Sequence, residues 1–212
     1  MKKQYINIIL HCIVILTMMF GRADAQNTNI PVEPGERRLN RLQQPEKIID
    51  AIGLKPGMTI GDIGAGRGRL AVWFADRVGP EGCVIAEDID KTALDYLKRR
   101  CQKHGIHNVT TILGDVNDPY LPRDSLDIAF MISVYHHLEN PIPVLKNTLP
   151  SLKPGGILAI VERDPEKSGA PPQSSTPKET LIQQAQQAGF EVMRIETYLP
   201  DDNIYIFRPK VR

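Results

Sequence analysis

The sequence carries almost no excess of either charge: 26 Lys and Arg stand against 25 Asp and Glu in 212 residues, a formal net charge of +1. A protein that holds phosphate backbones needs a basic footprint, so nucleic acid is excluded as its main partner. No internal repeat is visible. Cysteine is scarce, at three residues. Cys12 follows Leu10-His11 rather than the small residues of a lipidation box, which argues against lipid attachment. No apolar run reaches the ~20 residues of a membrane span. The longest, Ile6 to Phe20, is broken by Asn7 and His11.

That first stretch has its own logic. Lys2-Lys3 form a positive start, Ile6 to Phe20 an apolar centre, and Ala23-Asp24-Ala25 a small-x-small cleavage site before Gln26. Residues 1–25 therefore read as a signal peptide, and the mature protein as exported and periplasmic. An uncleaved anchor is disfavoured by the short apolar run, and a mis-assigned start would leave the protein cytoplasmic. Residues 26–42, polar and proline-rich at their start, read as a loose arm. Residues 43–212 are enough for one α/β domain with a core of its own.

Within that domain strands and helices alternate. Pro45 starts a helix striped by Ile48, Ile49 and Ile52. Strands are expected at Thr59–Ile63, Val84–Asp88, Val109–Leu113, Leu126–Ile132 and Ile157–Glu162. The helices between them include one capped by Asp90 and ending at His104-Gly105, and another from about Pro143 to Leu152. After a Pro/Ser/Gly-rich passage, a helix from Lys178 to Ala188 precedes two strands, Phe190–Ile195 and Asn203–Arg208, expected to pair as a hairpin. Such βα alternation requires a parallel sheet covered on both faces. Cys83 and Cys101 then fall near the bottom of that sheet, ten helical residues spanning ~15 Å against ~17 Å for five strand residues. Two readings stay open: a disulfide, or two small buried hydrophobes.

The most informative segment is Met58–Gly68, MTIGDIGAGRG. An apolar strand breaks into Gly64-Ala65-Gly66-Arg67-Gly68, a tight turn into a helix where a ligand approaches the backbone. A dinucleotide fingerprint would need its third glycine at position 69, which is Arg. The pattern is D-x-G-x-G-x-G instead, with Asp88 ending the next strand and Gly114-Asp115 following the third. Together with VYHHLENP and LKPGGILAIVERD, these residues resemble the class I S-adenosylmethionine-dependent methyltransferases, and among them the small quinone-methyltransferase-like members. The resemblance runs from about Gln43 to Arg208. It implies a Rossmann-like doubly wound α/β fold whose seven-stranded, mostly parallel sheet has one antiparallel strand, S-adenosylmethionine as cofactor, and methyl transfer to a small-molecule or lipid-like acceptor.

The resemblance also distributes roles. The backbone at Gly64, Ala65, Gly66 and Gly68 would meet the methionine half of the cofactor, and Asp62 its ammonium. Asp88, with Ile89 beside it, would hold the two ribose hydroxyls. Asp115 would accept from the adenine amino group while Val116 packs on the ring, and Ser133 would close the site past strand four. Each acid has a plain alternative as a turn former. Glu87, on the other side of its strand from Asp88, reads as a surface charge, and Asp90 as a helix cap. Tyr135 and His136 are the acceptor-side catalytic candidates, with a neutral imidazole as proton acceptor. His137 reads as structural, and Arg163 and Asp164 as charges near the acceptor. Consecutive histidines diverge and no other Cys or His lies nearby in sequence, so no metal is expected. Two other functions remain in play: a non-catalytic protein keeping a cofactor-type fold, and an NAD-dependent oxidoreductase, which the misplaced glycine disfavours.

Overall fold

The computed structural model describes residues 30–210, so the leader and its cleavage site lie outside the described residues. In chain order the elements are α1 (Arg37–Gln43), α2 (Pro45–Ala51), β1 (Thr59–Ile63), α3 (Ala71–Val78), β2 (Cys83–Asp88), α4 (Lys91–His104), β3 (Val109–Leu113), β4 (Leu126–Ile132), α5 (Pro141–Thr148), β5 (Leu152–Arg163), α6 (Pro165–Ser168), α7 (Lys178–Ala188), β6 (Phe190–Glu196) and β7 (Asp202–Pro209). The sheet has seven strands in the order β3-β2-β1-β4-β5-β7-β6. β7 alone runs against its neighbours, pairing antiparallel with both β5 and β6, while the other pairings are parallel. Strand order reverses between β1 and β4, and that switch point is where an open α/β sheet binds its ligand.

Alternation along the strands splits the core into two layers. Ile60, Val84, Ala86, Phe74, Leu97 and Phe130 pack on one face, with Phe74 and Phe130 edge to face at 4.9 Å between ring centroids. Ile63, Ile85, Met131, Leu145, Leu158 and Tyr205 pack on the other. Local signals set the element ends. The Asp90 carboxylate accepts from the Thr92 N–H at 2.7 Å and starts α4, and Gly105, at φ 65°, stops it.

The structure differs from the sequence reading at three places. The described part of the arm is not loose. Pro34–Glu36 form a 3-10 turn leading into α1, and Glu36 is gripped by Arg100 of α4 through 2.7 and 2.8 Å bonds. Arg100 also donates to the Pro31 and Arg67 carbonyls at 2.6 and 3.2 Å. Tyr96 donates to Glu33, and the Arg67 guanidinium lies 4.9 Å from the centre of the Tyr96 ring. The cysteines are both free. Cys83 shares a strand face with Ile85 and packs on that layer, whereas Cys101 is in the layer of Val84 and Leu97. The sheet itself separates the two sulfurs, which excludes the bridge. Last, α5 begins earlier, at Pro141, and ends by Thr148, and Lys153-Pro154-Gly155-Gly156 belongs to a long irregular β5 instead of a free turn.

Candidate active site

The glycine turn at the end of β1 is shaped by close contacts. A Cβ on Gly64 would lie 2.4 Å from Val134 Cγ2, and one on Gly68 would lie 2.2 Å from Leu97 Cδ1. Gly66 is different: it has φ 55° and nothing within 4 Å of its Cβ position, so glycine is needed there for the left-handed backbone and not for space. Asp88 holds the turn in place. Its Oδ2 accepts from the Gly66 N–H at 2.7 Å and its Oδ1 from the Asp90 N–H at 2.8 Å, leaving each oxygen a second lone pair.

Beside this turn, over the carboxyl ends of β1, β2 and β3, lies a cavity of about 390 Å³. Of the residues assigned from the sequence, Gly64, Asp88, Ile89, Asp115, Val116 and Ser133 line it. Ile89 and Val116 are exposed apolar side chains on its wall, 57% and 50% accessible. Asp62, Ala65, Gly66 and Gly68 do not line it. Asp62 lies beneath, 1% exposed, and Ala65 packs in the core with its N–H donated to the Glu87 carbonyl.

Arg69, whose charge acts on Asp62, belongs to a polar cluster. The Gln43 side chain, at the end of α1, donates to Ser133 Oγ at 3.1 Å and to the Asp202 carboxylate at 3.4 Å, and accepts from Arg69. Arg69 also donates to Asn40 at 2.8 Å. Burial raises Asp62 to about 7 against the pull of Arg69, and its Oδ2 has no hydrogen-bond partner among the described residues. An orphaned buried acid of this kind asks for a cationic ligand group.

Three sequence assignments need correcting. Glu87 is not a surface charge: it is 3% exposed and lines the cavity. Tyr135 faces away from any acceptor, 2% exposed in the core with its hydroxyl donated to Gln184 at 2.8 Å, and burial pushes its pKa up. The two histidines exchange the places expected of them. His137 lines the cavity, while His136 is tucked against Glu162, Nδ1 to Oε1 at 2.7 Å. Burial first, and then Arg163, lowers the His136 pKa, and burial raises Glu162 to about 7. Sequence reasoning did not single out Pro119, Val134, Leu138, Glu139 or Val144, which with Ile63 complete the wall.

Comparison with known proteins gives the class. A family described as "Methyltransferase domain" matches residues 54–199. An S-adenosylmethionine-dependent methyltransferase from Aquifex aeolicus superposes with a TM-score of 0.76 at 28% identity, over 82% of this chain and 93% of that one. Nocamycin O-methyltransferase of Saccharothrix syringae is 33% identical over 39% of this chain and 29% of its own length. A ubiquinone/menaquinone biosynthesis C-methyltransferase of Vibrio campbellii is 30% identical over 54% of this chain and 44% of its own. The chain thus spans less than half of either sequence relative. It belongs to the methyltransferase domain family, within the class I enzymes that use S-adenosylmethionine. The residues fit that cofactor: a glycine turn that reaches the cavity at Gly64, an acid at Asp62 whose Oδ2 has no partner among the described residues, and a carboxylate with spare lone pairs at Asp88.

Proposed function

We propose that this protein transfers a methyl group from S-adenosylmethionine to a small-molecule or lipid-like acceptor, with quinone-type rings the favoured class. One observation carries the reading: the cavity at the switch point joins the glycine turn to Asp88 and Asp115 at successive strand ends. The names of the two sequence relatives, a quinone C-methyltransferase and an O-methyltransferase, support the acceptor class.

The bound cofactor supplies a methyl on a positively charged sulfur, already activated toward a nucleophile. What remains for the protein is binding, alignment and a dry pocket. Asp88 would accept from the ribose hydroxyls and Asp115 from the adenine amino group, with Ile89 and Val116 as the apolar side chains beside the ring. Asp62 would take the ammonium, and the turn Gly64 to Gly68 would lie against the methionine end. On the acceptor side His137, which lines the cavity, is the imidazole that would take a hydroxyl proton, while a neutral His136 donates Nδ1–H to Glu162 and braces the turn that carries it. The reading extends to export of the mature chain, which rests on residues 1–25 alone.

Calorimetric titration tests the core of the proposal. Asp88→Ala should weaken S-adenosylmethionine binding by roughly 1.5–3 kcal/mol, the range for hydrogen bonds to a charged group. Unchanged affinity would remove Asp88 from the site. Binding of NADH without S-adenosylmethionine would overturn the reaction class.

A further inference from the structure

Glu87 is an acid in an unusual place. Its strand points it away from Asp88, into the layer of Ile63 and Ile85, yet at the carboxyl end of β2, where that layer opens into the cavity. The carboxyl is wedged between two glycines. Its Oε2 accepts from the Gly64 N–H at 3.4 Å, and its Oε1 lies 1.9 Å from where a Cβ on Gly114 would stand. Any side chain at position 114 would evict it, so Gly114 is the space the carboxyl occupies.

No Lys, Arg or His lies within ion-pair distance of Glu87 among the described residues. The groups that act on it are acids: Asp88 on its own strand, Asp62 on β1 and Asp118 after β3, opposed by the single Gly64 N–H. Asp115, His137 and Glu139 share the cavity wall. A buried carboxyl surrounded by carboxylates is costly to ionise, unless a cation enters the same cavity.

Resting on the methyltransferase reading, we propose that Glu87 answers the sulfonium charge of the cofactor, releasing its proton to solvent as that charge arrives. It would thereby let the protein distinguish S-adenosylmethionine from the neutral-sulfur product, S-adenosylhomocysteine. Both ligands carry the same ammonium, adenine and ribose, so Asp62, Asp88 and Asp115 treat them alike. Only a group that responds to the sulfur separates them. Burial, helped by the neighbouring acids, raises Glu87 to about 8, so the free protein holds this proton at neutral pH. Once methyl transfer has neutralised the sulfur, the carboxyl takes a proton back, and the product is held less tightly.

The test is proton counting. Calorimetry of the full chain with each ligand at pH 7, in phosphate and in Tris, gives the protons exchanged from the buffer dependence of the heat. S-adenosylmethionine should release on the order of one proton more than S-adenosylhomocysteine, and the affinity ratio between them should rise from pH 6 to 8. Glu87→Gln, equal in size and uncharged, should abolish the difference and reduce the preference by about tenfold. Equal proton release by the two ligands overturns the proposal without any variant, and so does an unchanged ratio in a folded Glu87→Gln. If neither ligand binds the wild-type chain, the methyltransferase reading itself falls, which is a separate outcome.

Discussion

Arg100→Ala should detach the N-terminal segment before it endangers the domain. The Arg100 side chain is 2% exposed and its partner Glu36 12%, joined by a forked pair at 2.7 and 2.8 Å. Removing one member of a buried pair commonly costs about 3–5 kcal/mol, because the remaining charge is stranded. Here the stranded charge belongs to a segment able to swing into water. The segment's apolar side chains are at most half-buried, and the other hydrogen bonds that hold residues 30–43 run from Tyr96 to Glu33, from Arg69 to Asn40, and from Gln43 to Ser133 and Asp202. Each is worth ~1 kcal/mol net, against ~1–2 kcal/mol of backbone entropy per ordered residue. Leu39, 40% exposed, adds little burial. The loss should therefore stop near 3 kcal/mol or below, at the free energy that holds the segment. Limited proteolysis read by mass spectrometry would find new cuts within residues 30–43, while urea unfolding reports the size of the loss. Arg100→Lys should not restore protection, since an ammonium cannot fork. A loss of 4–5 kcal/mol with the segment still protected would refute this account.

Two further expectations follow from the charges and the leader. Asp62 and Glu162 are raised to about 7 and Glu87 to about 8, so each binds its proton more tightly folded than unfolded. Their contribution to stability is complete below the ordinary carboxylate range and is lost as pH rises through 7 to 8. The melting temperature of ligand-free protein should fall from about pH 5 to 8 and level off above, with a slope of up to about 1.4 kcal/mol per pH unit for each group between its unfolded and folded pKa; a flat profile over that range would contradict the buried-acid geometry. Expressed in a Gram-negative host, the mature chain should begin at Gln26 and fractionate with the periplasm, and a retained Met1 in the cytosol would dispose of the leader reading.

Elements were legible where a single period ran between strong stops. Thr59–Ile63, Val109–Leu113, Leu126–Ile132 and Lys178–Ala188 have the bounds read from the sequence. β5 began five residues early because pairing with β4 overrode the Pro-Gly-Gly signal. In the site, the glycine turn and Asp88 followed from spacing, but Glu87 did not. Alternation said only that it points opposite Asp88, and in a doubly wound sheet both sides are interior. That both faces are covered was itself readable, and an acid in a strand covered on both faces has no solvent side to occupy. The exchange between His136 and His137 was not readable, because it depends on the 3-10 turn Tyr135–His137, whose angular step differs from that of a strand or an α-helix. Arg100 was hidden for another reason: its partner lies 64 positions away in a segment that composition alone calls disordered.

The separation of the two thiols turns the molecule into its own two-channel probe. Cys83 and Cys101 sit in different layers of the same sheet, and neither is tied to the other. An alkylating reagent applied in short pulses reaches the buried Cys101 only when its layer loosens, while the half-buried Cys83 reacts faster and gains further reactivity when its own layer opens; peptide mass tells the two apart. The opening of the layer under α4 can thus be timed against that of the layer under α5 and α7 in the unmodified chain, with no engineered label.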